Sequence, residues 1–491
     1  MNINTPATTR KSQNSQWVRR TVCTLLIFTL AAAITSAAQS QNIFARFTNA
    51  NGGSPTSLVQ GPDGNFYGVG IVGGNNAGGR IFKVSPTGTI TPLYTFCFPA
   101  PCQDGKTPNG LVLASDGNFY GTTFRGGPRD SGSIFRLTPT GGVSIFYSFC
   151  TGVGPCLGGT RPQGDLIQGT DGALYGTTSQ GGIQNGGTVF KITLSGVFTS
   201  LYSFCSQSPN CADGVTPAAG LLEGSNGLFY GTTSRGGANP GNGGTIFRIS
   251  TTGKLATLYS FCAQPNCADG MFPQTSLIQG TDGNVYGATS SGGLTDSICT
   301  SGCGSAFRIP LSGAPFTLLH AFTSSEGFQV QKLIQATDRG FYGTARLGGS
   351  SNLGTLFKMD SAGAVSVLFN FCTTAACNSS ANPVGLMQST SGLFYGTTTG
   401  PGNGTVFTYG YPPFITMAPA SGSVGTVVKI YCTDLSGATE VIFNGGVSAT
   451  FTIVAPGEID TFVPPGALYG PVKVMTPTGI LVSSVVFRVT P

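Results

Sequence analysis

A Tyr-Gly pair recurs seven times along this chain, at Tyr67, Tyr120, Tyr175, Tyr230, Tyr286, Tyr342 and Tyr395, with spacings of 53, 55, 55, 56, 56 and 53 residues. Self-similarity at such a period marks a tandem array, in which one supersecondary unit repeats because it cannot bury its apolar faces alone. The third unit shows the grammar. In "DLIQGTDGALYGTTS" two short apolar segments, A and B, flank an Asp-Gly; "GGTVFKIT" supplies C and "FTSLYSFC" supplies D. Asp-Gly at Asp63, Asp116, Asp171 and Asp282, and Asn226-Gly227 in the fourth unit, gives the positive φ that a tight A to B hairpin needs. Four antiparallel strands in about 55 residues is the size of a propeller blade, and seven units predict an all-β, seven-bladed β-propeller.

Counting strands predicts how the array closes. The last Tyr-Gly unit stops after strand C, "GTVFTYG", at Gly410, so one D strand is missing. "NIFARF", Asn42 to Phe47, matches the apolar core of the other D strands and precedes the first strand A at Leu58. The expectation is that this N-terminal strand completes the last blade. Composition agrees: 76 Gly and 30 Pro in 491 residues disfavour helix, and 9% charged residues with 40% hydrophobic ones disfavour disorder.

Residues 1–38 read as a signal peptide. Arg10, Lys11, Arg19 and Arg20 precede an apolar run from Val22 to Ile34, and Ser36 and Ala38 occupy the small-residue positions of a cleavage site. The run is shorter than the ~20 residues of a membrane-spanning helix, so no transmembrane segment is expected in the mature chain. Of 24 basic and 18 acidic residues, four basic ones lie in this segment, which leaves a formal charge of +2. The basicity belongs to the signal, and a nucleic-acid partner is not indicated.

The repeat resembles the GloVer tandem-repeat family of exported bacterial proteins through "GNFYGTT" (Gly117 to Thr123), "GGTVFKIT" (Gly186 to Thr193) and "LYSF" (Leu201 to Phe204), over about residues 43 to 410. The resemblance implies an exported array and transfers no catalytic residue. From Tyr411 the text changes to about 80 residues of alternating strands punctuated by Gly and Pro, the pattern of a small immunoglobulin-like β-sandwich. This part is similar to IPT/TIG domains at Pro419, Gly422, Gly425, Phe443-Asn444-Gly445, Pro464, Gly466, Gly470, Phe487 and Val489. The expected organisation is a signal peptide at 1–38, a propeller at 39–410 and an IPT/TIG-like sandwich at 411–491.

Twelve of the thirteen cysteines outside the signal form close pairs: Cys97/Cys102, Cys150/Cys156, Cys205/Cys211, Cys262/Cys267, Cys299/Cys303 and Cys372/Cys377. Six local disulfides are the expectation for an exported chain, with Cys432 a free thiol. Loop lengths support it. The five D to A connections that carry a pair hold 14 to 16 residues between the last Phe of D and the Leu of the next A, and the two without hold 10. A metal reading of these cysteines lacks ligands, since His320 is the only histidine.

Other recurrent residues carry structural expectations. The turn aspartates read as turn chemistry; calcium at the "DGN" of Asp63, Asp116 and Asp282 would have one carboxylate per site, short of an oxygen shell. Lys83, Arg136, Lys191, Arg248, Arg308 and Lys358, each after the strand C Phe, are expected to lay their stems between blades with the charge at a sheet rim. His320 replaces a D-strand Tyr and reads as a packing position. Catalytic residues, metal and cofactor: none is assigned. The variable B to C and D to A loops form the expected recognition face, with Arg125, Gln180 and Arg235, which share one position before Gly-Gly, as candidate ligand-binding residues. The functional expectation is an exported, non-enzymatic binding or structural module of the cell envelope or exterior with a protein or glycan partner. The alternative is a polysaccharide- or peptide-directed enzyme using the same loop face.

Overall fold

The Tyr-Gly pair has a packing cause. In a computed structural model, strand B pairs with strand C so that each of these glycines lies opposite the strand C Phe: Gly121 faces Phe135, Gly176 faces Phe190 and Gly231 faces Phe247. A Cβ on Gly176 would stand 2.6 Å from Phe190 Cζ, so the glycine leaves the space into which the ring folds. The tyrosines beside them are buried, five of them at 2% exposure or less. The structure describes residues 42–48, 51–74, 77–98, 101–207, 211–336, 338–372, 380–389, 393–400, 402–410, 414–419, 421–431, 435, 437–455, 458–476, 479–483 and 487–490. The expected signal peptide, Cys377 and Cys432 lie outside them.

Among the described residues the chain is all-β: no α-helix is present, and Pro265–Cys267 is a short 3-10 turn. Seven antiparallel sheets carry the repeats, each ordered A-B-C-D, and none closes on itself as a barrel. The first runs Gly53–Gln60, Phe66–Val72, Arg80–Val84 and Ile90–Thr95. The last contains Ala381–Gln388, Phe394–Gly400 and Thr405–Tyr409, and its fourth strand is Asn42–Arg46 from the other end of the chain. Asn42 pairs with Thr408, Ile43 with Phe407 and Arg46 with Thr405, as the strand count requires.

Strand A departs from its expected start. It begins at Gly53 rather than near Leu58, and in the third unit it is two segments, Thr160–Pro162 and Ile167–Gln168, both paired with strand B. The extension passes through a left-handed residue in every unit: Ser54, Thr107, Arg161, Thr216, Phe272, Gln329 and Asn382, with φ of 47° to 58°. Its amide is tied to the preceding sheet, as in Thr107 N–H to Gly78 O and Thr216 N–H to Gly186 O, both 2.8 Å. Ser54 makes the same bond to Asn403 O of the last sheet, also 2.8 Å.

Ring packing repeats the pattern. Tyr175 stacks on Phe229 of the next sheet with centroids 4.0 Å apart, Tyr67 stacks on Phe119 at 4.4 Å, and Tyr395 of the last sheet packs on Phe66 of the first at 4.2 Å. Apolar clusters accordingly form between consecutive sheets, one of them holding Phe66 and Phe82 with Tyr395 and Val406.

The C-terminal part has its own core of Val428, Ile430, Val441, Ile459, Val474 and Phe487. Its first strand, Phe414–Ala418, runs parallel to Gly479–Ser483 and antiparallel to Val427–Tyr431, which joins two sets of strands.

Candidate functional site

The aspartates of the A to B turns are engaged locally. Asp116 Oδ1 accepts from the Asn118 amide at 3.0 Å and Oδ2 accepts from Tyr120 Oη at 2.9 Å. The same phenol bond joins Tyr67 to Asp63, Tyr175 to Asp171, Tyr286 to Asp282 and Tyr342 to Asp338. Burial acts to raise these carboxyls, and the hydrogen bonds outweigh it, so Asp116 sits below the ordinary carboxylate range. Burial, then the bond to Asp116, pushes Tyr120 up to about 12. Lys191 and Lys358 do not simply hold their charges at a rim. Their Nζ atoms pair with Asp171 and Asp338 at 2.6 and 2.7 Å and lie over the Tyr175 and Tyr342 rings.

A second set of acids anchors the D to A connections. Tyr94 Oη donates to Asp104 Oδ2 at 2.9 Å and Tyr259 Oη to Asp269 Oδ2 at 2.8 Å, and the same carboxylates accept loop amides. Asp213 and Asp269 are fully buried in this role. His320 occupies the Tyr position of this motif, with Nε2 3.1 Å from Glu326 Oε2. Glu326 also accepts the Thr323 amide at 2.9 Å. The connection after Phe322, one of the two without a cysteine pair, therefore keeps the acid anchor.

Five cysteine pairs are disulfides: Cys97–Cys102, Cys150–Cys156, Cys205–Cys211, Cys262–Cys267 and Cys299–Cys303. Cys372 is also disulfide-bonded. Asp296 gathers with Cys299 and Cys303, but both sulfurs are joined to each other, which leaves no thiolate for an ion. The Asp296 carboxylate instead accepts the Ile298, Cys299 and Ser324 amides.

Arg125 and Gln180 end the strands Phe119–Arg125 and Leu174–Gln180, and Arg235 follows Phe229–Thr233. All three are exposed. Arg125 pairs with Asp130 at 2.6 Å, and the Arg235 guanidinium lies 5.4 Å from the Phe272 ring centre. The strand B residue just before theirs lines a cavity in the first, sixth and seventh units, as Ile71, Arg346 and Thr399. Alternation along the strand turns the Arg125, Gln180 and Arg235 positions away from it.

That cavity, about 740 Å³, is lined by residues of all seven units. The residue after the strand A Pro or Val supplies Asn109, Gln163, Gln274 and Gln331 in four of them. Lys332 of the sixth unit reaches Asp165 of the third, Nζ to Oδ2 3.8 Å. Sequence reasoning missed this site. The signal was available as amides recurring at one position of strand A.

The sheet array with one shared contact scheme defines a tandem β-repeat protein. The chain belongs to the Gloeobacter/Verrucomicrobia repeat family, whose model matches residues 27–212 and 207–409. No curated protein matches the sequence. Among solved structures, the extracellular domain of a hybrid two-component system from B. thetaiotaomicron is 13% identical with a TM-score of 0.51, over 91% of this chain and 53% of that one. This chain therefore spans about half the length of that domain. A fungal alcohol oxidase of the AA5 family, solved with copper, is 12% identical with a TM-score of 0.50, over 92% and 99% of the two chains. PorZ, a surface component of the type-IX secretion system of Porphyromonas gingivalis, is 14% identical with a TM-score of 0.47, over 90% and 60%. Identities this low carry a likeness of fold and nothing of ligand or chemistry. Among the described residues no helix is long and apolar enough to cross a membrane.

Proposed function

We propose that the protein is an exported, non-enzymatic binding module: a signal peptide at 1–38, a seven-bladed β-propeller at 39–410 and an IPT/TIG-like, immunoglobulin-like sandwich at 411–491 that acts as a spacer. The observation that carries the reading is a cavity lined by residues of all seven repeats. Seven sheets whose first and last members share the contacts made by their neighbours support a closed ring, and a ring places strand A of every blade at its axis. Local disulfides support export, because such bonds persist in oxidising compartments. The non-enzymatic reading draws on where the titratable groups are used: turn acids on phenols, loop acids on amides, and His320 on Glu326.

Recognition belongs to the side of the ring that carries the B to C and D to A connections, around Arg125, Gln180 and Arg235 and the mouth of the cavity. Rigid sheets present variable loops there, and a protein or glycan is the partner class. The test is a glycan-array and purified-protein binding screen with the exported chain. Replacing Arg125, Gln180 and Arg235 together by Ala should weaken the binding found at least tenfold with unchanged thermal stability. A footprint confined to the Asp-Gly turn side, or to residues 411–491, contradicts the reading.

A further inference from the structure

The lining of the central cavity comes in runs of consecutive residues: Val330, Gln331 and Lys332 from one unit, Gln163, Gly164 and Asp165 from another. A sheet face would contribute alternate residues, because side chains change sides at each step. Consecutive residues mean that strand edges line the space. This agrees with the sheet order, in which strand A is terminal and pairs only with strand B. Side chains of the preceding sheet take some of the edge groups, as Thr397 Oγ1 does with Thr56 O and Thr177 Oγ1 with Ala219 O. An edge of this kind is a template for main-chain pairing with an extended segment.

The side chains narrow the occupant. Gln163 and Gln274 are exposed into the cavity and make no side-chain hydrogen bond among the described residues. Among the described residues no aromatic ring lines the space, which removes the stacking surface on which a sugar ring would rest. At the strand A position where four units place amides that both donate and accept, the seventh places the aliphatic Val384. Among the described lining residues the charges are Asp165, Lys332 and Arg346, a surplus of one positive charge. Lys332 and Arg346 sit on adjacent strands of the sixth sheet, Phe328–Gln335 and Phe341–Leu347. Lys332 is only loosely held by Asp165, at 3.8 Å, and Arg346 has no carboxylate partner among the described residues.

We infer that the cavity binds the C-terminal end of an extended peptide, its main chain along the edge of Phe328–Gln335 and its terminal carboxylate between Lys332 and Arg346. The inference rests on the binding-module reading and names the ligand class of its cavity. The volume, about 740 Å³, is in the range of pockets that enclose short ligands. Opposite charge changes then have opposite effects: Lys332→Gln removes a cation that receives the carboxylate, while Asp165→Asn releases Lys332 from its competing partner.

The test uses the full exported chain and a library of N-acetylated tetrapeptides with free C-terminal carboxylates, beside the same library amidated and a panel of neutral oligosaccharides. Free-carboxylate peptides should bind. Amidation and Lys332→Gln should each weaken them at least tenfold, and Asp165→Asn should strengthen them several-fold, with melting temperatures reporting that both variants are folded. If no tetrapeptide binds, or if amidation and Lys332→Gln leave binding within twofold, the inference is overturned. Binding of oligosaccharides that is lost in the Arg125, Gln180 and Arg235 triple variant and kept in Lys332→Gln would overturn it too, while leaving the loop-side reading standing. Failure of every probe in both screens would remove both.

Discussion

In each repeat a glycine and a phenylalanine face each other across strands B and C. Adding one methyl at Gly176 brings a Cβ to 2.6 Å from Phe190 Cζ and 2.8 Å from Leu166 Cδ2, so Gly176→Ala should cost about 1–3 kcal/mol, read as a lowered melting temperature. Loss of less than about 0.5 kcal/mol would mean that the ring does not occupy that hollow. The phenol–carboxylate bonds predict a pH window. The turn carboxyls Asp63, Asp116, Asp171, Asp282 and Asp338 lie below their ordinary value when folded, so the unfolded chain takes up protons first and stability falls as pH drops below about 4. Tyr67, Tyr120 and Tyr175 keep their protons up to about 12 when folded, while the unfolded phenols release theirs near 10. Their contribution is complete below pH 10 and is lost between about 10 and 12, which thermal melts across that range would follow. An Asp171→Ala variant should show a smaller drop on the acid side. In the sequence the Asp was legible as turn chemistry and the Tyr as packing. Their bond was not, because it depends on where a buried ring ends.

Strands and loops were legible where the chain alternates or repeats a signal. The D-strand match of Asn42 to Phe47 followed from counting, and its pairing with Thr405–Tyr409 is present. Deleting residues 42–47 should expose Phe66 and Tyr395 and lower the melting temperature by several degrees. An unchanged value would show that this strand does not hold the last sheet. The outer half of strand A was not legible, since it runs through a left-handed residue and a Pro, as at Thr107 and Pro108, and neither reads as strand. Cysteine spacing did reveal the staples. Replacing Cys205 and Cys211 together by Ser should cost about 2 kcal/mol by the chain-entropy account of a short closed loop. The acid anchor at Asp213 should keep that loop in place, so hydrogen exchange at Ser206 and Gln207 should stay slow.

On the scale of the whole molecule, the repeat period announced seven like sheets, but the cavity they share stayed hidden. Its walls are strand edges, whose residues follow one another without the alternation that marks a face, and its amides at Asn109, Gln163, Gln274 and Gln331 look like ordinary loop polarity in one dimension. The first and last sheets are neighbours, joined by the bond from Ser54 N–H to Asn403 O, and the proposed ring sets seven blades around one space. Gly53 and Asn403 test it directly, because a Cβ on Gly53 would stand 3.2 Å from Asn403 Cβ, close to the spacing a disulfide bridges. Gly53→Cys with Asn403→Cys should form a cross-link under oxidising conditions, recovered by mass spectrometry as one peptide pair 350 residues apart in sequence. A closed ring predicts that link in nearly every molecule, with a raised melting temperature; two free thiols at these positions, or links found only between separate molecules, would contradict it.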